Sequence, residues 1–351
     1  MKILIVGPSP TKSKGGMATV IEEIVKDEDI NSKFDIDVFE SYIDGNKFKV
    51  IFYSIYAYLK FCITKGRYDI YHIHAASYGS TFRKGLYVRQ AKRWGKKVIL
   101  HIHGAEYMTF FSNSKWKKEI ISILKMADMV IALSNEWKKK FEQTFKLTNC
   151  VVLENGINTE RLLPAVSSPQ SHPHNLVVLG RLGERKGTYD LIKAIKNVKN
   201  VIPDIKCYLA GDGEIEKCKT YIKNLNLIEN VEVIGWIDFD DKLDLLKKSG
   251  TLVLPSYNEG LPMAILEGMA CGKAIISTKI GAIPEVVSEE NGLLIDPGDV
   301  NELSNAIIEC CTNQDYLENV KTNNIKKIAS KYSMKIMHDK LGNYYKGVFY
   351  I

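Results

Sequence analysis

No run of apolar residues in this 351-residue chain is long enough for a membrane-spanning helix, which needs about 20 of them. The opening strand-length run Met1–Val6 stops at Gly7, too short for a signal-peptide core. Cysteine is sparse and odd in number, seven residues without any Cys-x-x-Cys. That argues against a zinc pattern and favours a reducing, cytoplasmic setting. No short repeat or low-complexity tract interrupts the chain, and no recognised nucleic-acid motif occurs in it. What is present is ordinary for a soluble globular protein, 45% apolar and 25% charged, with length enough for two domains.

The net charge of +7 is unevenly placed. Residues 1–165 hold 26 Lys+Arg against 17 Asp+Glu, whereas residues 166–351 hold 22 against 24. The basic excess belongs to the first half. It suits an anionic membrane surface or an acidic acceptor at least as well as nucleic acid, which without a motif is not expected as a partner.

Short apolar runs alternate with helical patterns along the whole chain. Strands are expected at Lys2–Val6, Phe34–Phe39, Ile70–Ile73, Val98–Ile102, Met129–Leu133 and Val151–Leu153. Helices are expected near 17–27, 48–65, 80–94, 115–126 and 134–145. Residues 164–175 lack periodicity and read as a linker. The pattern restarts with strands at Leu176–Leu179, Lys206–Ala210, Val231–Ile234, Leu252–Leu254, Ala274–Ile276 and Leu293–Ile295. Helices near 187–198, 214–226, 240–249, 262–270 and 299–311 accompany them, and two more, 315–330 and 333–349, close the chain. Alternation of this kind implies parallel sheets with helical crossovers. Two such domains, 1–165 and 166–332, would face a shared cleft with their carboxyl edges, where open sheets bind ligands.

The densest chemistry lies in Pro255–Gly272. A strand leads into a loop holding Glu259, and a helix opening near Pro262 carries Glu267. The N–H groups of Gly260 and Leu261, with the helix dipole, make an anion site. Flanked by two acceptor-only carboxylates, that site suits a ligand with phosphate between polyhydroxyl groups, as in a nucleotide-sugar. Two solvated glutamates on a surface helix would show the same spacing. Upstream, Gly180-Arg-Leu-Gly-Glu-Arg-Lys186-Gly187 places Arg181 just after a strand and Lys186 just before a helix, where two cations can neutralise a diphosphate. Arg185 reads as the solvent-facing member of that loop. Gly15-Gly16, after the first strand, allows close backbone approach to phosphate, although its loop has neither dinucleotide nor P-loop spacing.

Two His-x-His pairs, His72/His74 and His101/His103, end neighbouring strands on shared faces. A four-histidine metal site is one reading; the other has only the last histidine of each strand reaching the cleft. Asp238-Phe239-Asp240 has the look of a metal-binding Asp-x-Asp, but helix capping and first-turn charge account for it without a metal.

Gly-Arg-Leu-x-x-x-Lys-Gly, then Gly211-Asp-Gly213, then Pro255-Ser-x-x-Glu-Gly-Leu-Pro-Met-Ala-Ile-Leu-Glu-Gly-Met-Ala-Cys-Gly272 closely resembles glycosyltransferase family 4. The resemblance runs through the chain in order, taking in Gly15-Gly16, His103-Gly104 and Asn155-Gly156-Ile157-Asn158. It implies a GT-B fold of two Rossmann-like domains, an acceptor-binding first and a donor-binding second, with a last helix at about 333–351 crossing back to the first. It further implies a nucleotide-sugar donor, by default a UDP-sugar, retention of anomeric configuration, and no obligatory metal or cofactor. Carried over by position, Arg181 and Lys186 would hold the diphosphate, Glu259 the sugar hydroxyls and Glu267 the ribose. Gly260, Leu261 and Pro262 would meet the distal phosphate or sugar, Trp236 and Ile237 would wall the base, and His103 would approach sugar and acceptor. Departures are Gly268 and Ala274 where Ala and Pro are usual, and Glu154 where Pro is usual before Asn-Gly.

The expected reaction is therefore sugar transfer to a hydroxyl of a glycan or lipid-linked acceptor in cell-surface polysaccharide synthesis. A sugar-nucleotide epimerase and a non-catalytic accessory subunit are the competing classes. Segment Lys47–Arg67 mixes aromatics with flanking cations, and reads either as a buried helix or as a membrane-surface helix at the inner face of the cell membrane. Arg83, Lys84, Arg89, Lys92, Arg93, Lys96 and Lys97 add charge, each surface cation contributing about 1 kcal/mol against an anionic leaflet.

Overall fold

The structure, a computed structural model, describes residues 1–13, 15–166, 168 and 171–350. Residue 14 of the glycine loop and residues 167, 169 and 170 of the expected linker lie outside the described residues. The chain forms two compact units, Met1–Gly156 with Met334–Ile351, and Ile157–Ser333.

The first unit carries six parallel strands, β1 (Lys2–Pro8), β2 (Asp35–Tyr42), β3 (Ile70–Ala75), β4 (Lys97–Ile102), β5 (Met129–Ala132) and β6 (Cys150–Val152), in the order β2-β1-β3-β4-β5-β6. The second carries β7 (His172–Leu179), β8 (Lys206–Ala210), β9 (Val231–Gly235), β10 (Ser249–Leu254), β11 (Ala274–Thr278) and β12 (Gly292–Ile295), ordered β12-β11-β10-β7-β8-β9 and again parallel. The central strands read as continuous apolar runs because helices cover both sheet faces, so both side-chain sets are buried. In the second unit Leu176, Val178, Leu209, Val253 and Ile276 pack against Leu191, Ile195, Leu303 and Ile307 of the flanking helices.

In each sheet the strand order reverses once, between β1 and β3 and between β7 and β10. Loops leaving the two strands at such a point diverge to opposite faces and leave a crevice at their carboxyl ends.

Several expectations need correction. The aperiodic stretch taken as linker is partly strand, since His172–Asn175 belong to β7. Pro173 is tolerated there because β8 begins to pair only at Asn175, and β7 itself bulges against β10 between His172 and Leu176. The division between units falls at Gly156/Ile157. Helices Glu28–Lys33 and Tyr107–Asn113 went unforeseen, being too short to express a helical period. The side chain of Asp27, accepting from Ile30 N at 2.8 Å, was the available signal for the first.

The last helix, Met334–Tyr350, packs within the first unit. Its Tyr344 hydroxyl donates to Val152 O at 2.7 Å, and its Lys340 pairs with Glu154 at 2.7 Å. The unusual glutamate before Asn155-Gly156 thus has a partner of its own. All seven cysteines are free thiols. Among the described residues no helix is long and apolar enough to cross a membrane.

Candidate functional site

The second unit builds its site from loops at the carboxyl ends of β7, β8, β10 and β11, and backbone contacts lash these loops together. Leaving β7, Gly180 takes a φ of +146°, open to glycine, and passes so close to Gly211 that a Cβ there would lie 1.9 Å from Gly180 O. Leu182 N then donates to Asp212 O at 2.6 Å, and Glu214 N to Leu182 O at 3.0 Å. On the other side Tyr257 N donates to Arg185 O, and an Arg185 guanidinium N–H to Asn258 O, both at 2.9 Å. Arg185 is exposed, as its sequence position implied, yet this bond makes it a strap between loops. The loop after β10 is held in turn by Ala282 N, which donates to Gly260 O at 3.0 Å, and by the Thr278 hydroxyl on Ser256 O at 2.6 Å.

On this frame Lys186 and Glu259 meet as an ion pair, their side chains 15% and 8% exposed. Lys186 comes from the one-turn 3-10 helix Glu184–Lys186 after β7, and Glu259 from the loop after β10, so the pair spans the reversal point of the sheet. A second pair joins Glu267 to Lys242 at 2.5 Å, 14% and 21% exposed. Solvated glutamates are thereby excluded: both carboxylates are withdrawn from water and carry a lysine each. Lys242 was not singled out from sequence, since its partner lies 25 residues away on another helix and no local pattern links them. Arg181 is exposed.

Pro262 is the N-cap of helix Met263–Ala270, one position before the expected first turn, with Ile265 N bonded to Pro262 O at 3.2 Å. Gly260 and Leu261 are buried just ahead of it. Trp236, 56% exposed, and Ile237 follow β9, the edge strand, and lead into helix Phe239–Lys248, which holds Lys242. Asp238 caps that helix through Asp241 N at 3.0 Å, and Asp240 and Asp241 lie in its first turn. The Asp-x-Asp segment is therefore a helix start.

In the first unit Gly15 (φ +116°) is the N-cap of helix Gly16–Lys26, which follows β1. The histidines form a stacked set across β3 and β4, with His74 and His101 in register. His72, His74 and His101 are buried, so His74 does not reach the surface as expected for the last histidine of its strand; only His103 is partly exposed. His74 Nδ1 lies 2.8 Å from His103 Nε2, His72 Nε2 3.3 Å from His101 Nδ1, and His72 Nδ1 2.8 Å from the Tyr345 hydroxyl of the last helix. Burial keeps the imidazoles neutral, reinforced at His72, His74 and His101 by the neighbouring imidazoles. It pushes His72 and His103 down to about 3, and His74 and His101 well below the usual range. Nitrogens of His72, His74 and His101 lie within 4.8 Å of one another, and Nε2 of both His74 and His101 is buried without a hydrogen bond.

The fold is shared with solved proteins. Sucrose-phosphate synthase from Thermosynechococcus elongatus matches with a TM-score of 0.82 at 18% identity, over 99% of each chain. Two reversing parallel sheets with this match define a GT-B protein. The family described as Glycosyltransferase Family 4 matches residues 15–161, and the one described as Glycosyl transferases group 1 matches residues 162–327. An uncharacterized glycosyltransferase of Methanocaldococcus jannaschii is 29% identical over 338 residues, 91% of each chain. The UDP-Gal:alpha-D-GlcNAc-diphosphoundecaprenol alpha-1,3-galactosyltransferase of Escherichia coli is 28% identical over 318 residues, 83% of this chain and 78% of its own. The chain belongs to the family 4 glycosyltransferases and is a transferase of the EC 2.4 class.

Proposed function

We propose that the chain transfers a hexose-type sugar from a nucleoside diphosphate, UDP by default, to a hydroxyl of a glycan or lipid-linked acceptor in polysaccharide or glycolipid synthesis, with retention of configuration. The observation that carries this reading is the Lys186–Glu259 pair at the reversal point of the second sheet. A crevice there is where an open parallel sheet takes a nucleotide. An ammonium has three donors, so Lys186 can keep Glu259 and still reach a phosphate oxygen, while the second Glu259 oxygen accepts from a sugar hydroxyl. The Escherichia coli relative, named for UDP-galactose and a diphosphoundecaprenol-linked sugar, supports both the donor class and the lipid-linked acceptor.

In the proposed step the bond from the anomeric carbon to the diphosphate oxygen breaks, and the acceptor oxygen bonds to that carbon from the same face. The acceptor proton passes to the departing phosphate. Charge grows on the diphosphate, and Arg181, Lys186 and the start of helix Met263–Ala270 are the groups to stabilise it. Glu267, with Lys242 holding its orientation, takes the ribose hydroxyls, and Trp236 and Ile237 wall the base. Gly15 and Gly16 let backbone N–H groups approach the phosphates. Neutral His103, its Nε2 accepting from His74, presents Nδ1–H to the sugar or acceptor. Because cations and a helix terminus carry the phosphate charge, no metal is required, and turnover persists in a chelator.

Thermal-shift screening of nucleotide-sugars tests the donor assignment, since a ligand at 100 times its dissociation constant adds about 2.7 kcal/mol of stability. If no nucleotide-sugar raises the melting temperature, the donor reading is wrong. Turnover that needs an added acceptor separates a transferase from an epimerase.

Peripheral contact with an anionic membrane, consistent with a lipid-linked acceptor, completes the reading.

A further inference from the structure

Helix Lys47–Thr64 divides cleanly into two faces, and both are apolar. Ala57 and Phe61 are buried, with Val50, Tyr53, Ser54 and Tyr58 half-buried beside them. Phe61 packs edge-on against Phe39, Tyr71 and Tyr87, and the Tyr53 hydroxyl donates to Glu40 O at 3.1 Å. That face is committed to the sheet, so the helix cannot roll to hide the other. The outward face presents Phe48 (76% exposed), Phe52 (72%) and Ile63 (83%), with Ile51, Ile55, Tyr56 and Leu59 all more than half exposed between them. Spacings of three and four residues set these side chains in one stripe along the helix. An apolar patch of this length on the surface of a single chain marks an interaction site.

The charge along the helix itself has one sign. No Asp or Glu occurs anywhere in Lys47–Thr64. Lys49 and Lys60 are exposed on the helix, Lys65 and Arg67 follow its end, and none of these four is ion-paired with a described carboxylate. The cations of the following segment behave differently. Lys84 is buried against the Ser41 hydroxyl, Arg89 pairs with Glu119, and Lys92 and Lys97 both reach Asp128. Part of the basic charge along Gly79–Lys97 is thus taken up internally, whereas the cations beside the stripe have no acid partner among the described residues.

We propose that the outward face of Lys47–Thr64 inserts into the headgroup boundary of an anionic lipid bilayer, its apolar side chains entering the acyl region and its cations meeting lipid phosphates. The inference deepens the membrane contact proposed above and rests on that reading. An apolar stripe rimmed by unpaired cations and free of acid is the pattern of a helix lying in the interface plane. A protein partner for the same face, or a second copy of this chain, would give neither dependence on anionic lipid nor a need for vesicles. Apolar burial dominates the attachment here, so binding weakens with salt but is not abolished by it.

The experiment is flotation of the full-length chain with vesicles of equal parts phosphatidylcholine and phosphatidylglycerol, at low and high salt. The double substitution Phe52→Ser with Ile55→Ser is compared with Lys49→Gln with Lys60→Gln. The first is expected to lower partition about 10–100-fold at either salt, the second a few-fold and only at low salt. Folding of both variants is checked by their nucleotide-sugar thermal shift, which uses none of these residues. Equal flotation of the wild type and the serine variant would overturn the inference. So would absence of wild-type flotation, or a wild-type dimer that the serine variant dissolves while neither protein floats. An intact nucleotide-sugar shift without flotation defeats the membrane inference alone; flotation without that shift defeats the donor reading alone.

Discussion

At the carboxyl edge of the second sheet the ionisable groups are paired, Lys186 with Glu259 and Lys242 with Glu267. At the corresponding edge of the first they are stacked imidazoles, which burial holds neutral. The units share a strand plan and differ in what they leave outside. The second straps its loops to one another and withdraws its carboxylates; the first exposes an apolar helix face. An anionic ligand needs fixed charge, which explains the strapped loops. The lipid-linked acceptor proposed above would need a surface that can leave water, and the exposed apolar face of the first unit suits that.

The largest effect should separate the two cations of the second unit. Lys186→Met and Arg181→Ala are each expected to reduce turnover about 10²–10³-fold, by analogy with loss of one oxyanion donor. Only Lys186→Met should also cost about 3–5 kcal/mol of stability, because it strands the buried carboxylate of Glu259. Exposed Arg181 should leave stability within about 0.5 kcal/mol. Turnover reduced less than threefold in both would remove these residues from the site.

Next in size is an acid sensitivity seated in the first unit. The buried histidines have folded values below the unfolded value of about 6.5, so their stabilising contribution is complete above that pH and is lost as pH falls toward the folded values, about 3 for His72. Together His72, His74 and His101 should make stability fall progressively as pH drops below roughly 6.5. Denaturant titrations of the full chain at neutral and mildly acidic pH read this directly, and a flat profile would show that the imidazoles accept protons in place.

A smaller effect is expected at Glu267→Gln, which should raise the Michaelis constant for donor about tenfold through a weakened charge-assisted bond and leave turnover at saturation unchanged. A fall in turnover with an unchanged Michaelis constant would move Glu267 from ribose binding to the reacting sugar. Smallest in activity terms is Lys84→Met. Burial, with the Arg83 charge nearby, pushes its ammonium down to about 7, so an apolar replacement of similar length should be neutral or stabilising near neutral pH. Marked destabilisation would give Lys84 an electrostatic role in the first unit.

All twelve strands were legible, the central ones as apolar runs because helices bury both their faces, while edge strand β2 is only partly buried. The strand start at His172 was not, since a Pro- and His-rich stretch has no period, and its pairing with Ser249 depends on residues far away in sequence. The motif residues of the second unit were legible because their loops allow few alternatives. A Cβ on Gly187 would fall 2.0 Å from Pro255 O and one on Gly281 2.1 Å from Glu259 O, so glycine punctuates the loops by necessity.

The chain by itself determined the two alternating halves, the family and the residue types gathered at Gly180–Gly187 and Pro255–Gly272. Those features follow from local backbone demands and from period, which neighbouring residues encode. Only tertiary structure decided that Lys242 holds Glu267, that His74 is sealed behind His103, and that the aromatic helix keeps one apolar face in water. Each depends on which elements cover which faces, and solvent access is a property of the packed chain, not of any segment of it.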